Sequence, residues 1–583
     1  MSTQTRSQTR SQTRSQTRTP FRPRFRVRRP DRHINRTTAL VVYGLAALLY
    51  LAAGIILSAQ GIFFGDALSR LQTAESVFFS DRPALANIGF VFTPLTTLAE
   101  LPLAVLSPLL PALTASALAA TAVSALFMAG AVRQVWLVGK DGGVSTVFLV
   151  TVTVLFATNP MIVLYGANGM SEAPFLFTCA WATRRMMRFA RTDDVHDLMA
   201  SGLGLSLAFL ARYEALAAAG AGALVVAGLA LVRGREQGRR MQWERAVTDA
   251  VVFLFPVILA SAVWFFTSWL TTGTAVAQFS GTYGNAAIIE STGGGAGGGT
   301  VAALTRILLL APGLPILVVA AVVLARRRHS PGLFPPLVVL GSVLGFQVFT
   351  AAAGATFGLL RFFIVAVLLA TMLSLLVPLT VGELRSSRPG RFPWDGGTAL
   401  PLYRPRVTTA ATLVLLLAGT VSTTVTMTDR RWAPQEYALA AATPLASRLD
   451  GADLDERRAV LRTYRTERHL AEFLDARDLA AGSVLLDTTF GFPVPLFSER
   501  PSTFVIPSDP DFVTSLDDPY AHGVRYILAV PPDGRGSRDA VNLRYPTFYD
   551  NGSGVATLDL EIVNDGAGQP DFRLYRVRET PVE

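Results

Sequence analysis

Long runs of apolar residues are the feature that most constrains this chain. Of its 583 residues, 51% are hydrophobic and only 16% are charged, whereas a soluble domain is about one quarter charged. A helix that spans a bilayer needs about 20 mostly apolar residues, and the sequence contains many such stretches. They predict a polytopic α-helical membrane protein.

Charge divides the chain into two parts. Residues 1–428 hold 35 Lys and Arg against 17 Asp and Glu, a net charge of +18, and residues 429–583 hold 17 against 25, a net charge of −8. Lys140 is the only lysine, so the basic excess consists almost entirely of arginine. Cytoplasmic loops of membrane proteins are rich in Lys and Arg. The basic balance therefore indicates membrane topology, and we expect no nucleic-acid partner.

The N-terminal tail, residues 1–36, has low complexity. Residues 3–18 repeat the pattern TQTR-SQTR, and eleven arginines occur by Arg36. The tail shows no apolar periodicity, which is typical of disorder. Its positive charge predicts a cytoplasmic location against anionic lipid headgroups. It does not resemble a secretory signal, because the apolar run that follows it is too long.

Apolar runs and arginine clusters together predict about eleven transmembrane helices in residues 37–428. Placing the arginine-rich loops on the cytoplasmic face puts the N-terminus inside and the C-terminus outside, in the plasma membrane. The predicted spans lie near 38–60, 112–138, 144–165, 172–190, 198–212, 214–233, 247–270, 301–325, 332–350, 358–381 and 406–428.

Three further segments are predicted to lie outside. The loop 61–111 contains the proline-rich apolar stretch 90–110, which we expect to form a helix at the membrane surface. The loop 271–300 ends in GGGAGGG, which is flexible. Residues 429–583 have a soluble composition. Helical patterns at 436–449 and 456–480, followed by strand patterns at 484–487, 526–530, 557–563 and 572–577, predict a small α/β domain.

Acids and arginines cluster at one predicted membrane face. Asp66 follows the first span, Glu172 begins the fourth, Arg212 and Glu214 lie at the turn between two short spans, and Arg361 lies at the outer end of the tenth. Charged groups cost about 2.5–3.5 kcal/mol at a helix centre on insertion scales and less at helix ends. Their presence alone therefore does not establish a function, but their common location indicates a site.

Each of these residues also has a simpler interpretation. Asp66 could cap the helix ALSRLQTAESVFF, because Asp is a favoured N-cap residue. Glu172 could be an acid in the first turn of a helix. Arg361 could reach the lipid headgroups as an anchor. For Arg212 and Glu214 we expect a local ion pair.

The order of these motifs resembles the GT-C superfamily of polyprenyl-phosphate-sugar-dependent glycosyltransferases, in particular its protein O-mannosyltransferase and aminoarabinose-transferase branch. The resemblance rests on Asp66 after the first span, on IGFVFTPL at 88–95, on NPMIVLYGANGMSEAPFLF at 159–177, on LGLSLAFLARYEAL at 203–216, and on GLLRFF at 358–363. It covers residues 38–381 well and the C-terminal domain loosely.

The resemblance implies a GT-C-like fold and a mannosyltransferase-like role in cell-envelope synthesis. In this interpretation Asp66 is the general base for an acceptor hydroxyl, and Glu172 orients the acceptor or the donor sugar. Arg361 pairs with the donor phosphate, with Arg212 and Arg70 as alternatives. The partners are a polyprenyl-phosphate-linked sugar, an extracytoplasmic glycan, lipid or protein acceptor, and the bilayer. Some branches use a divalent metal near the acids; here we expect no metal and no other cofactor.

Two other classes of protein share parts of this pattern. A secondary transporter carries ionisable residues and broken helices near the bilayer midplane, whereas the charges here cluster at one face. A non-catalytic envelope-assembly protein would share the topology and the C-terminal domain but would tolerate loss of Asp66. The order of motifs favours the transferase.

Overall fold

The membrane part of the chain is built from helices throughout. The computed structural model describes residues 32–233, 239–280, 299–328, 331–386 and 405–579. All eleven predicted spans are helical over most of their length. Residues 1–31 of the predicted tail and most of the predicted loop 271–300 lie outside the described residues, whereas residues 32–36, predicted to be disordered, begin the first helix. The helices up to residue 426 are Arg32–Ala59, Gly65–Phe79, Leu95–Ala104, Ala112–Ala115, Leu118–Gly142, Thr146–Ala157, Pro160–Ala167, Glu172–Thr192, Val195–Ala211, Ala215–Arg233, Arg239–Thr272, Ala277–Ser280, Gly299–Leu310, Leu314–Arg328, Phe334–Ala352, Val365–Ser386 and Pro405–Thr426.

The chain is a multi-pass membrane protein. By length and composition, seven helices within the described residues could cross a membrane, or nine if each of two bent pairs counts as one span. The other two predicted spans are helices that are either more polar or shorter: Glu172–Thr192 carries several arginines, and Val195–Ala211 has 17 residues. The count of eleven therefore stays a prediction.

Two predicted spans are broken helices. Thr146–Ala157 and Pro160–Ala167 meet at 60°, and Gly299–Leu310 and Leu314–Arg328 form the second bent pair, with an angle of 85°. In the first pair, the Asn159 side chain accepts a hydrogen bond from the Met161 amide and Pro160 occupies the first turn. Both features start a new helix, because an N-cap acceptor and a first-turn proline suit a helix beginning.

The loop 61–111 is folded and largely helical. Gly65–Phe79 is followed by a 3-10 turn, Leu85–Ile88, and by the short helix Leu95–Ala104. The predicted helix in 90–110 is thus present but only 10 residues long, with Pro102 inside it. Gly65–Phe79 and Leu95–Ala104 pack against each other and so hold the start of Gly65–Phe79, where Asp66 lies.

The C-terminal domain contains a five-stranded mixed sheet of order β2-β1-β3-β5-β4. β1 pairs in parallel with β2 and β3, while β5 is antiparallel to β3 and β4. The four predicted strands are present, and the two-residue β2 was missed because so short a segment has no periodicity. The strands are β1 Val484–Leu486, β2 Phe504–Val505, β3 Tyr526–Ala529, β4 Ala556–Ile562 and β5 Phe572–Val577.

The two predicted helices of this domain are each divided into shorter elements. The segment 456–480 contains the end of Gly451–Leu461 and all of Arg465–Asp475. The segment 436–449 forms two 3-10 turns, Tyr437–Ala442 and Pro444–Arg448, rather than one helix. Pro444 lacks the amide hydrogen that a continuous helix needs, so the helix cannot run through it. The α-helices of the domain are Gly451–Leu461, Arg465–Asp475, Thr488–Gly491, Pro493–Phe497, Phe512–Asp517, Ala540–Arg544 and Phe548–Asn551.

The C-terminal domain shares its core with the loop 61–111. Leu68 and Leu71 are fully buried in one apolar cluster with Leu470, Phe492 and other residues of the domain. At the edge of this contact, Arg468 Nη2 donates to the carbonyl oxygen of Ala115 at 2.8 Å. Burying a leucine side chain stabilises a fold by about 1.5–3 kcal/mol. The helix that carries Asp66 is therefore held by the domain as well as by the membrane helices.

Candidate functional site

Four of the five predicted site residues lie where helices begin or end. Asp66 is in the first turn of Gly65–Phe79, and Glu172 is the first residue of Glu172–Thr192. Arg212 joins Val195–Ala211 to Ala215–Arg233, and Arg361 lies in the 3-10 turn Leu360–Phe363. The tertiary structure brings these four segments together, and Arg70 lies one turn after Asp66.

Arg361 forms an ion pair with Asp66. Its Nη2 atom donates to Asp66 Oδ2 at 2.8 Å, and Arg361 is only 6% exposed, so it is not a headgroup anchor. The N-cap of the Asp66 helix is Phe64, and no side chain makes a capping hydrogen bond there. The two simpler interpretations, capping by Asp66 and anchoring by Arg361, are therefore both wrong. The Asp66 side chain is 37% exposed and can be reached from solvent.

Glu172 connects two arginines. Its Oε1 atom lies 2.7 Å from Arg212 Nη1 and 3.7 Å from Arg361 Nη1, and the residue is 1% exposed. The expected first-turn position is confirmed, but the carboxylate is occupied by side chains from two other segments. Ionised groups can be buried when they are paired in this way. Glu172 thus fixes the spacing of Arg212 and Arg361.

Arg212 and Glu214 form the predicted local ion pair. Arg212 donates through Nη2 and Nε to Glu214 Oε1, at 2.8 and 3.1 Å. The same oxygen accepts from Gln347 Nε2 at 2.6 Å. A continuous chain of contacts, hereafter the ionic chain, therefore runs through six side chains: Asp66, Arg361, Glu172, Arg212, Glu214 and Gln347.

Arg70 supports Asp66 without pairing with its carboxylate. Its Nη1 atom donates to the backbone oxygen of Asp66 at 3.1 Å, and its guanidinium lies over the Phe92 ring, 4.2 Å from the centroid. Arg70 is buried, and its Nε atom has no hydrogen-bond partner within the described part of the chain. Its charge acts on the site through space.

The arginines determine the ionisation of Asp66. Burial raises the pKa of this carboxyl group, but the charges of Arg361 and Arg70 and the hydrogen bond from Arg361 outweigh burial and lower the pKa to about 2. Opposite charges within a few ångströms favour the ionised form. Asp66 is thus a carboxylate at any physiological pH, and while Arg361 holds it, it is a weak base.

Tyr165 and Glu436 are neighbours of the site that sequence reasoning missed. Tyr165 Oη donates to Glu436 Oε1 at 2.5 Å, both residues are buried, and Glu436 Oε2 has no partner among the described residues. Burial raises the pKa of Glu436, while the Tyr165 hydrogen bond and the charge of Arg361 lower it. Tyr165 lies inside the stretch 159–177 that carried the resemblance. Glu436 gives no comparable signal, because it follows the last predicted span and reaches the site only through folding.

The acids of the site pair with arginines. Within the described ranges, no group of three or more His, Cys, Asp or Glu side chains is arranged to hold a metal ion. Asp66 and Glu172 are each paired with an arginine, whose guanidinium group can also contact an anion such as phosphate. The arrangement can therefore bind a phosphate group next to a carboxylate that is open to solvent.

Comparison with solved structures identifies the fold. ArnT from Cupriavidus metallidurans, solved with undecaprenyl phosphate bound, is similar with a TM-score of 0.52 and 11% identity, covering 94% of this chain and 98% of that chain. The oligosaccharyltransferase AglB from Archaeoglobus fulgidus, solved with an inhibitory peptide and a dolichol phosphate, gives a TM-score of 0.38 and 12% identity, covering 88% of this chain and 71% of that chain. No protein-family model and no curated protein matches the sequence. The similarity to ArnT confirms the predicted GT-C-like fold.

We expect Tyr165→Phe to destabilise the site. The change leaves Glu436 buried without its donor, which should lower the free energy of unfolding by about 1–3 kcal/mol. Tyr50→Phe is the matched control, because Tyr50 is equally buried but its hydroxyl binds only the carbonyl oxygen of Ala157, at 3.0 Å. Thermal unfolding of the purified proteins in detergent measures the loss of stability in each of the two variants. Equal losses for the two variants would contradict a special role for the Tyr165–Glu436 pair.

Proposed function

We propose that this chain is an integral membrane glycosyltransferase that moves a sugar from a polyprenyl-phosphate donor to an acceptor hydroxyl outside the cytoplasm. The observation that carries the proposal is the 2.8 Å pair between the solvent-accessible carboxylate of Asp66 and the buried Arg361. A base and an anion-binding group are thus adjacent, beside the membrane helices. ArnT, which has the same fold, was solved with undecaprenyl phosphate, and we assign a lipid phosphate of this class to the present chain.

Binding of the donor prepares Asp66 for proton transfer. The donor phosphate presents oxygens to the Arg361 guanidinium, whose planar fork suits phosphate. Arg361 then shares its charge between the phosphate and Asp66. With less positive charge directed at it, the Asp66 carboxylate becomes a stronger base.

The transfer step is an in-line displacement. Asp66 accepts the proton of the acceptor hydroxyl as the hydroxyl oxygen attacks the anomeric carbon. The bond from that carbon to the phosphate oxygen breaks, the polyprenyl phosphate leaves with the electron pair, and the configuration at the anomeric carbon inverts. General base assistance of this kind typically contributes about 10²–10⁴-fold in rate.

The remaining charged residues position these groups. Glu172 lies between Arg361 and Arg212 and keeps both guanidinium groups facing the donor phosphate. Arg212 serves as a second phosphate partner, and Arg70 adds positive charge close to Asp66. The site acts on the extracytoplasmic side, in the synthesis of an envelope glycan, glycolipid or glycoprotein.

We expect Asp66→Asn to abolish transfer while the protein stays folded in the membrane. Asparagine preserves size but cannot accept a proton at neutral pH, so the rate should fall by at least about 100-fold. The measurement is the incorporation of label from radiolabelled polyprenyl-phosphate sugars into membrane glycan, lipid or protein. Asp455→Asn, at a highly exposed position of the C-terminal domain, is the control. Normal transfer by Asp66→Asn would rule out the base and favour a non-catalytic envelope protein.

We expect Arg361 to determine the apparent affinity for the donor. A charge-assisted hydrogen bond contributes about 1.5–3 kcal/mol, so Arg361→Ala should weaken donor affinity by roughly tenfold to a hundredfold. Arg361→Lys should weaken it less, because lysine keeps the charge but not the bidentate contact. The measurement is transfer as a function of donor concentration at matched abundance. Arg184→Lys is the control, since Arg184 is also buried but pairs with Asp141. Superimposable curves for all variants would exclude Arg361 as the phosphate partner.

The proposed topology places residues 429–583 outside the cell. Their net charge of −8 contrasts with the arginine-rich loops assigned to the cytoplasm. Protease added to intact cells without their wall should remove this domain, while an epitope at the N-terminus stays protected. Protection of the C-terminal domain in intact cells, with digestion only after lysis, would overturn the topology and the extracytoplasmic reaction.

A further inference from the structure

The C-terminal domain places Tyr464 against the residue next to Asp66, and Arg535 lies within electrostatic range of both. Gly65, the neighbour of Asp66, lies against Tyr464, and a Cβ atom added at Gly65 would come within 2.3 Å of Tyr464 Oη. Burial raises the pKa of Tyr464, and the negative charge of Asp66 raises it further. Burial lowers the pKa of Arg535, and the charges of Tyr464 and Asp66 oppose that effect. Both side chains are thus electrostatic neighbours of the Asp66 carboxylate.

Arg535 is held without a close carboxylate partner. Its Nη2 atom donates to the carbonyl oxygen of Thr489 at 3.0 Å, and its guanidinium lies over the Phe490 ring, 4.8 Å from the centroid. Its Nε atom is buried and has no hydrogen-bond partner in the part of the chain that the structure describes. A buried donor without a partner is costly. An anionic ligand group would satisfy it.

Aromatic rings surround these two polar side chains. The Tyr464 and Phe492 rings meet edge to face, with centroids 5.9 Å apart, and the Phe490 ring lies beside the Arg535 guanidinium. Aromatic rings offer broad apolar faces together with polar edges. Phe492 belongs to the buried core, whereas the Tyr464 and Phe490 rings are only partly buried. These two rings suit a carbohydrate, whose ring has apolar C–H faces and polar hydroxyl edges.

The reaction geometry separates this surface from the donor phosphate. Arg361 contacts Asp66 from the side of the membrane helices, and the polyprenyl chain must stay in lipid, so the donor phosphate belongs on that side. In an in-line displacement the nucleophile approaches from the face opposite to the leaving group. The acceptor must therefore reach Asp66 from the side of the C-terminal domain, where Tyr464 and Arg535 lie.

We propose that Tyr464 and Arg535 form the acceptor subsite, and that this subsite takes a carbohydrate acceptor bearing a phosphate or carboxylate group. The inference rests on the proposed transferase function. The Tyr464 hydroxyl donates to an acceptor oxygen near Asp66, and the free N–H groups of Arg535 bind the anionic group. Arginine can contact either anion with two parallel hydrogen bonds. The C-terminal domain thereby selects the acceptor while the membrane helices bind the donor.

Small competitors test this assignment with the full chain in native membranes. Transfer of label from a radiolabelled polyprenyl-phosphate sugar is measured with glycerol, glycerate or glycerol 3-phosphate added at matched ionic strength. We expect one or both anionic probes to inhibit, glycerol to have little effect, and added donor not to relieve the inhibition. Whichever of the two anions inhibits more strongly identifies the group as phosphate or carboxylate. Arg535→Gln should require about tenfold more of that anion.

Three variants separate binding from folding. Arg535→Lys keeps the charge and should retain part of the inhibition, even if Arg535→Gln loosens the contact with Thr489. Tyr464→Phe should slow transfer while leaving the inhibition by the anion largely intact. Arg525→Gln is the matched control, because Arg525 lies on the same domain, is exposed and stacks on Tyr520. It should behave as the unaltered protein does.

Each contrary result has a distinct meaning. Equal inhibition by glycerol and by the anions would overturn the anionic subsite. The anion could instead inhibit in a way that added donor relieves, and that Arg361→Lys weakens but Arg535→Gln does not. This result would place the anion in the donor site and would also overturn the anionic subsite. Absence of any transfer that depends on Asp66 would overturn the proposed function, and this subsite with it. Transfer that depends on Asp66 but shows no change in Arg535→Gln would overturn the subsite alone.

Discussion

The pairing of buried acids with buried arginines is the constraint on which the site depends. Arg361 and Glu172 are almost completely buried, and each has its main ionic partner on another segment of the chain. Removing one partner from a buried pair leaves an uncompensated charge and costs about 3–5 kcal/mol. The ionic chain is therefore complete only when the loop 61–111 and the helices that carry its other members are all in place. Assembly of the site therefore depends on folding of the whole membrane domain.

The C-terminal domain takes part in this assembly. It buries Leu68 and Leu71 of the helix that carries Asp66, and it supplies Glu436 to Tyr165. One of these contacts holds the helix of Asp66, and the other lies close to Arg361. The domain is thus a structural part of the site, and we expect substitutions in its core to change the position of Asp66.

The contacts of Asp66 connect the resting structure to the reaction. Burial alone would raise the pKa of Asp66, but the charges of Arg361 and Arg70 and the hydrogen bond from Arg361 lower it to about 2. A carboxylate held so firmly is a poor proton acceptor. In the proposed mechanism Arg361 shares its charge and hydrogen bonds between Asp66 and the donor phosphate. Asp66 therefore becomes a stronger base only when a donor is bound. Such an arrangement would disfavour premature proton transfer at an empty site.

The sequence by itself determined the features that depend on local composition. Apolar runs predicted helices at all eleven positions, and short strand-like runs predicted four of the five strands, because both signals lie within short stretches. The order of acidic turns and the GLLRFF motif identified Asp66, Glu172 and Arg361. The sequence also predicted the ion pair between Arg212 and Glu214 correctly, because the two residues are only two positions apart.

Only the tertiary structure decided which of these groups touch. Nothing in the sequence around Glu436 or Arg535 shows that Glu436 meets Tyr165 or that Arg535 lies near Asp66, because these proximities arise from packing between segments hundreds of residues apart. The capping and anchoring interpretations of Asp66 and Arg361 were reasonable for isolated helices. They failed because the buried Arg361 pairs with the partly exposed carboxylate of Asp66. The local sequence determines the position of a charged residue along a helix. Because burying an unpaired charge is costly, the folded structure places an oppositely charged partner next to it. That partner comes close only when the whole chain has folded.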